Sequence, residues 1–319
     1  MSEKPVLSVI VPCFNEEECI PSTTKRLLEV LSELSSEGVV SENSYIFYVD
    51  DGSNDKTWEL IEKFSVENPN KVRGVKFSRN FGNQKAILAG LTESRKYSPD
   101  CLITIDADLQ QDENKIREFV EKYKNGAEIV CGIRNDRNTD SWFKKYSALA
   151  FYKVMNILGV NIKMNHSDYR LIGSEAAIAL SQFKETNLFL RGMFQELGFK
   201  KEYVSFDVKP RMIGTSKFTP FSLMALALNG ITSFSLIPLR MVTFIGFIMA
   251  FLSFFVGLSA LYDKYLGHGT VPGWATIVVC VGFVGGIQIL CLGIIAEYLG
   301  QLFQETKARP RYIVEKVLD

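Results

Sequence analysis

Asp106 and Asp108 stand two residues apart behind the β-rich run Cys101–Ile105. If the extended chain continues through them, both carboxylates face one way, because side chains alternate along a strand. Two such oxygens suit a hard divalent cation that keeps positions open for phosphate oxygens and water, and Gln110 can add a carbonyl oxygen. The plain alternative is a solvated Asp-rich loop; the strand in front and the acidic groups around it favour the metal. A second acidic cluster, Asp50-Asp51-Gly52-Ser53, has the composition of an Asx turn that caps a following helix. It equally offers a carboxylate to a base or a ribose, and the two Asp residues can divide those roles. Arg134, Lys144, Lys145, Arg211 and Lys217 are cations available to a diphosphate and a second phosphate.

These groups need a frame that gathers them. Val6–Val11, Tyr45–Val49, Val72–Phe77, Cys101–Ile105 and Glu128–Cys131 read as strands. Between them the periodicity predicts helices over 21–34, 57–66, 84–96 and 113–124. This rhythm implies an α/β domain with a mostly parallel sheet covered on both faces. Such sheets bind ligands beyond the carboxyl ends of their strands. The polar clusters fall there: 15–18, 50–53, Ser78-Arg79-Asn80, 106–108 and Arg134. Neither G-x-G-x-x-G nor G-x-x-x-x-G-K-[ST] follows the first strand, which disfavours a nicotinamide enzyme and a P-loop ATPase.

The chain has 319 residues, 36 basic and 36 acidic side chains, and 47% hydrophobic residues. That much apolar surface excludes a disordered polypeptide, and the zero balance argues against nucleic-acid binding by bulk charge. The charges are unevenly spread: from Phe218 to Glu297 they nearly vanish. Met241–Tyr262 and Trp274–Ala296 are apolar runs of about 22 residues each, long enough to cross a hydrocarbon core of about 30 Å. A loop with Asp263, Lys264 and His268 joins them into a hairpin. Lys307, Arg309, Arg311 and Lys316 behind it, with Arg240 and Lys217 ahead, place both termini in the cytoplasm by the positive-inside rule. The start, MSEKPVLSVIVPCF, has an apolar run too short for a secretory leader. Residues 218–240, with two prolines and several polar residues, read as helices at the membrane surface, and Ser141–Leu158 reads as an amphipathic helix. Six cysteines without a C-x-x-C pair suggest no zinc site and fit a reducing cytosol. Gly282, Gly285, Gly286 and Gly293 permit close helix packing, within the hairpin or between chains.

VPCFNEEE (11–18), DDGSNDKT (50–57), DADLQQDE (106–113), the arginine of GIR (132–134) and RMIGTSK (211–217) resemble glycosyltransferase family 2 with its GT-A fold. RNFGNQKAILAG (79–90), NGITSFSLIPLR (229–240) and GIIAEYLGQLFQETKARPRYIV (293–314) are similar to the polyprenyl-phosphate branch, of the bactoprenol glucosyltransferase type and related to dolichyl-phosphate mannose synthase. The resemblance runs end to end and implies four regions: a catalytic domain over 1–217, interface helices over 218–240, two transmembrane helices over 241–300 and a cytoplasmic tail over 301–319. It implies that Pro12, Phe14 and Glu16 line the nucleoside pocket with Asp50 and Asp51, the latter on uridine. It implies that Asp106, Asp108 and Gln110 hold Mg2+ or Mn2+ on the diphosphate. Arg134, Lys144 and Arg170 would meet the acceptor phosphate, and Arg211 and Lys217 would close over both substrates. Asp168 and Arg170, in HSDYRL, match the family's G-D-F-R-L, with Ser167 and Tyr169 standing for its glycine and phenylalanine.

The implied reaction transfers a hexose, glucose first, from a UDP-sugar to undecaprenyl phosphate at the inner face of a bacterial cytoplasmic membrane, with inversion. It would serve cell-envelope glycan modification such as that of the lipopolysaccharide O-antigen. Because the acceptor phosphate is ionised, Asp108 or Asp168 orients it rather than acting as an obligatory base, and stabilisation of the departing UDP dominates. Galactose, N-acetylglucosamine or an amino-arabinose derivative are alternative sugars, and relatives are expected to be homo-oligomers. A processive synthase would need Q-x-x-R-W and more helices. A nucleotidyltransferase would not release UDP, and a non-catalytic scaffold would not need an intact D-x-D.

Overall fold

Two strands are written as runs with almost no polar break. LSVIVPC forms β1 (Leu7–Cys13) and YIFYVD forms β2 (Tyr45–Asp50), and every residue of both is buried. Strands covered on both faces read in this way. The structure is a computed structural model that describes residues 3–135, 166–186, 188–208, 237–265 and 273–319. In it β3 (Val72–Phe77), β4 (Cys101–Thr104), β5 (Ile129–Arg134), β6 (His166–Gly173), β7 (Lys201–Phe206) and β8 (Val314–Leu318) complete an eight-stranded sheet of order β7-β5-β6-β4-β1-β2-β3-β8.

All five expected strands are present, within a sheet more mixed than their rhythm implied. The pairs β1–β2, β1–β4, β2–β3 and β5–β7 are parallel. The pairs β3–β8, β4–β6 and β5–β6 are antiparallel. The strand β6 enters between β4 and β5, so the motif HSDYRL is a strand and not a loop. The tail is likewise not a free appendage, because β8 forms the sheet edge beside β3.

Helices cover the strands by apolar stripes spaced three and four residues apart. Pro21 opens α1 (Ile20–Ser36), where its missing N–H is harmless, and Ile20, Leu27, Val30, Leu31 and Leu34 are buried. The helix α2 is Thr57–Glu67, and α4 (Ile116–Lys124) buries Ile116, Phe119, Val120 and Tyr123. Small residues bring α3 (Asn83–Glu93) close to the sheet: a Cβ on Gly90 would lie 2.2 Å from Ile10 Cγ2 and 3.1 Å from Val49 Cγ2. Two short helices, α5 (Ser174–Gln182) and α6 (Leu190–Glu196), follow β6.

The register opens the crevice that a ligand needs. Pairing of β1 with β4 stops at Ile10–Thr104, whereas β1 runs alongside β2 as far as Cys13–Asp50. The strand order turns at this point, with β2 on one side of β1 and β4 on the other, which is where open α/β sheets take ligands.

The described residues fall into two compact units. The sheet domain takes back the tail from Arg309 onward; the other unit holds α7 (Ile237–Tyr265) and α8 (Trp274–Thr306). Both helices are long and apolar enough to cross a membrane. Phe244, Phe247 and Phe251 on α7, and Phe283, Ile289 and Leu299 on α8, are exposed. The boundaries shift: 237–240, expected among the interface helices, is the first turn of α7, and Asp263 and Lys264, expected in the loop, lie in its last turn. The helix α8 runs past the expected end at 300 to Thr306. The expected helix over 141–158, the segment 218–236 and His268 lie outside the described residues.

Gly90→Ala tests the packing of α3. Forcing a methyl group between Ile10 and Val49 should lower stability by about 1–3 kcal/mol. Thermal unfolding of the purified full-length chain measures it; an unchanged midpoint would contradict the close approach.

Candidate active site

The loop after β4 is bent around its own side chains. Leu109 has φ 48°, a left-handed conformation unfavourable for a branched residue. Asp108 Oδ1 accepts from Gln110 N at 3.2 Å, which holds the turn. Gln111 straps the carboxylate before it: its Nε2 donates to Asp106 Oδ2 at 2.6 Å, and its Oε1 accepts from Asp106 N at 3.0 Å. The same Nε2 reaches Ser167 Oγ at 3.4 Å. From α1, the Thr23 hydroxyl donates to Ala107 O at 2.5 Å. Asp106, Asp108 and Gln110 all remain half-buried at the rim.

Antiparallel pairing then supplies a third carboxylate. The register Thr104–Arg170 brings Asp106, two residues on, toward Asp168, two residues back. Burial first, then the Asp168 and Asp108 charges, push the Asp106 carboxyl up to about 7. Asp168 goes the other way. Burial opposes its charge, but Arg191, with Arg170 and Arg134 behind it, holds it below the usual carboxylate range. The Arg191 guanidinium grips it with two bonds, Nε to Oδ1 at 3.1 Å and Nη2 to Oδ2 at 3.3 Å. Such a planar fork is the geometry that only arginine supplies. Arg134 stands exposed at the end of β5 and lowers both carboxyls through its charge.

Two residues of the HSDYRL motif lie away from the rim. Arg170, expected at the acceptor phosphate, is 4% exposed and lies over the Phe194 ring at 4.0 Å. Tyr169, which stands for the family's phenylalanine, is a core residue. Its ring meets Phe119 at 4.5 Å and Phe206 at 5.4 Å, and its hydroxyl donates to Asp112 O. The exchange therefore shapes the interior rather than the acceptor side. Ser167 bears more directly on the site, through Gln111. Sequence reasoning missed Arg191 and Gln111. Arg191 is an isolated cation in LFLRGMFQELGF, without a spacing that marks it. Gln111 could have been found, since it directly follows Gln110 in the acidic loop.

On the other side of the crevice the loops after β1 and β2 are zipped together. Asn15 N donates to Ser53 Oγ, Glu16 N to Thr57 Oγ1 and Glu17 N to Asp55 Oδ2. In return Asn54 N donates to Asn15 Oδ1 and Lys56 N to Glu17 Oε2. Most of DDGSNDKT thus positions NEEE. Asp50 forms the Asx turn, its Oδ1 accepting from Ser53 N and Oγ. Asp51 accepts from Phe81 N at 2.6 Å and Gly82 N at 2.8 Å, which ties down the loop after β3. Burial raises both carboxyls, and these hydrogen bonds oppose the rise. Gly52, at φ 70°, admits no side chain, because a Cβ there would lie 2.3 Å from Arg79 C. Pro12 is buried, and Phe14 and Glu16 are half-buried. Lys144, Lys145, Arg211 and Lys217 lie outside the described residues.

A divalent cation fits the donor set after β4. Burial first, and the neighbouring carboxylates second, disfavour the Asp106 charge, and a cation bound there would offset both. Among the described residues no three His, Cys, Asp or Glu side chains form a ready-made cage. A two-carboxylate site leaves its other positions to substrate oxygens and water.

The family model described as glycosyl transferase family 2 matches residues 8–180, more than half of the chain. The chain is 46% identical to the uncharacterized glycosyltransferase YkoT of Bacillus subtilis, over 98% of this chain and 92% of that one. It is 38% identical to a prophage bactoprenol glucosyl transferase homolog of Escherichia coli, over 98% and 99% respectively. A solved mannosyltransferase, PcManGT of Pyrobaculum calidifontis in complex with GDP-Man and Mn2+, superposes with a TM-score of 0.46 at 14% identity, covering 93% of this chain and 87% of that one. A family match through more than half its length, together with 46% identity over nearly the whole chain to a named glycosyltransferase, makes this chain a member of glycosyltransferase family 2.

Proposed function

We propose that this chain transfers a hexose, glucose first, from a UDP-sugar to a polyprenyl phosphate such as undecaprenyl phosphate, releasing UDP. The observation that carries this reading is the meeting, at one rim, of Asp106 with Asp168, Arg191 and Arg134, next to Asp108. The similarity over nearly the whole length to a protein named for bactoprenol glucosylation supports the acceptor class and ranks glucose ahead of the other sugars.

Asp106 and Asp108, with Gln110, hold Mg2+ or Mn2+. When bound, the ion neutralises diphosphate charge and so eases the departure of UDP. The nucleoside rests against Pro12, Phe14 and Glu16 beside the turn of Asp50 and Asp51. The lipid phosphate oxygen attacks the anomeric carbon and the bond to UDP breaks, inverting the centre. Asp168, kept ionised by Arg191, orients the acceptor side of the pocket. Arg134 faces the incoming phosphate, joined by Lys144 and, over both substrates, Arg211 and Lys217. Arg170 supports Asp168 from behind through its charge.

The helices α7 and α8 serve as a membrane hairpin, with catalysis and both termini on the cytoplasmic side. A chain that leaves the sheet domain before α7 and pairs again as β8 needs an even number of crossings. The basic residues Lys307, Arg309, Arg311 and Lys316 favour the cytoplasm. In this arrangement the catalytic domain is 1–217 together with the tail, and the interface segment shortens to 218–236. Among the described residues a Cβ on Gly285, Gly286 or Gly293 would meet nothing within 4 Å, and small residues of this kind permit close packing with a second copy.

A panel of UDP-sugars with undecaprenyl phosphate and Mn2+, scored by mass of the lipid product, tests the reaction. The expected product is the glucosyl lipid with stoichiometric UDP; a panel without any lipid product would overturn it. Asp108→Ala should abolish transfer at saturating Mn2+, and near-normal turnover would remove the metal assignment. Arg191→Gln should lower kcat roughly 10²-fold, the scale of losing one preorganised electrostatic group, with donor KM little changed. Arg191→Lys should not restore it, since an ammonium cannot reproduce the two-bonded grip. Steady-state kinetics in both substrates separates these outcomes.

A further inference from the structure

The loop Ser78–Gly82, between β3 and α3, is clamped from two sides. On one side is the acidic turn after β2. Asp51 takes the amides of Phe81 and Gly82, and the Arg79 backbone lies so close to Gly52 that no Cβ fits between them. On the other side is the tail. Ser78 N donates to Ile313 O at 3.1 Å, immediately before β8 starts. The Tyr312 ring stacks on Phe77, with centroids 5.1 Å apart and planes at 14°. Phe77 in turn meets Phe81 edge-on at 5.7 Å. The Tyr312 hydroxyl is held by Glu93 of α3 at 3.0 Å, so the ring is fixed at both ends. Arg311 reaches Phe183 O, and Lys316 lies 3.4 Å from Glu62. A continuous set of contacts therefore runs from the tail through Tyr312, Phe77 and Phe81 to Asp51. Nothing in the local sequence asks for it, since residues 77 and 312 are joined only by the fold.

We infer that Tyr312 is a positioning residue for the donor pocket: the tail presses the Ser78–Gly82 loop against Asp51 and so sets the turn that faces the nucleoside. The inference rests on the reading of Asp50 and Asp51 as part of a UDP-sugar site. It adds that the segment following the second apolar helix controls affinity for the nucleotide. Removing the ring leaves one face of Phe77 bare, frees Phe81 to move and loosens the grip on Asp51, while Asp106, Asp108 and Asp168 are untouched.

The test uses the full-length protein in detergent, with UDP binding by calorimetry, steady-state kinetics and amide exchange of the peptide that covers Ser78–Gly82. Tyr312→Ala should raise the Kd for UDP and the KM for the donor roughly three- to tenfold, the scale of one aromatic stack. Its kcat should stay within about twofold, and exchange in the loop should quicken. Tyr312→Phe keeps the stack and should behave within about twofold of the parent. If Tyr312→Ala does not fold, Tyr312→Leu, which keeps apolar bulk but no ring plane, is read on the same scale. An unmoved Kd and KM, or a loss confined to kcat, would overturn the positioning role, as would unchanged exchange of the loop. Absence of UDP binding by the parent protein would instead sink the donor reading itself, and this inference with it.

Discussion

Burial disfavours the charge of a carboxylate, and neighbouring carboxylates add to that cost, so the site depends on the cations that answer it. Asp106 and Asp108 follow the end of β4, and Asp168 lies on β6 where the register turns toward Asp106. Burial first, then the Asp168 and Asp108 charges, push the Asp106 carboxyl up to about 7. Arg191 answers on one flank, with its two-bonded grip on Asp168. Arg134 answers on another, through its charge. The remaining negative charge lies on the D-x-D side, where the proposed cation would be held.

The rest of the sheet domain can be seen as what this arrangement requires. Parallel β1 and β4 part after Ile10–Thr104, giving a crevice with the acidic loop on one wall. The loops after β1 and β2 make the other wall, and they hold each other by paired amide and side-chain bonds rather than by apolar packing. Polar groups near a solvent-facing rim cannot rely on burial for order, so reciprocal hydrogen bonds define their geometry. The loop after β3 is fixed in the same fashion by Asp51, and from behind by the aromatic contacts of the tail. Glu17 and Asp55 thus serve the loops themselves, giving side-chain oxygens to backbone amides, whereas Asp50 commits only Oδ1 to its turn.

Much was legible before any coordinates. The five apolar runs, the amphipathic helices between them and the two long uncharged spans are local patterns, and local patterns survive in a single sequence. The strand HSDYRLIG was not, because Asp168 and Arg170 break its apolar run and it pairs antiparallel, against the rhythm of its neighbours. The tail strand VEKVL was hidden for a related reason. An edge strand needs charges to discourage further pairing, and those charges disguise it. Arg170 was expected at the acceptor phosphate only through its match to the family's G-D-F-R-L; packing against Phe194 removes it from the surface.

The sequence by itself determined the chemistry on offer: two carboxylates at a strand end, an acidic turn, a set of cations and a hairpin of apolar helices. Each depends on spacing within a few residues, which the covalent chain enforces. Only the tertiary structure decided which cation answers which carboxylate, that Asp51 holds a loop, and that Tyr312 backs it. Asp168 and Arg191, or Phe77 and Tyr312, are brought together by strand register and packing. Contacts across such distances carry no periodic trace in the chain that makes them.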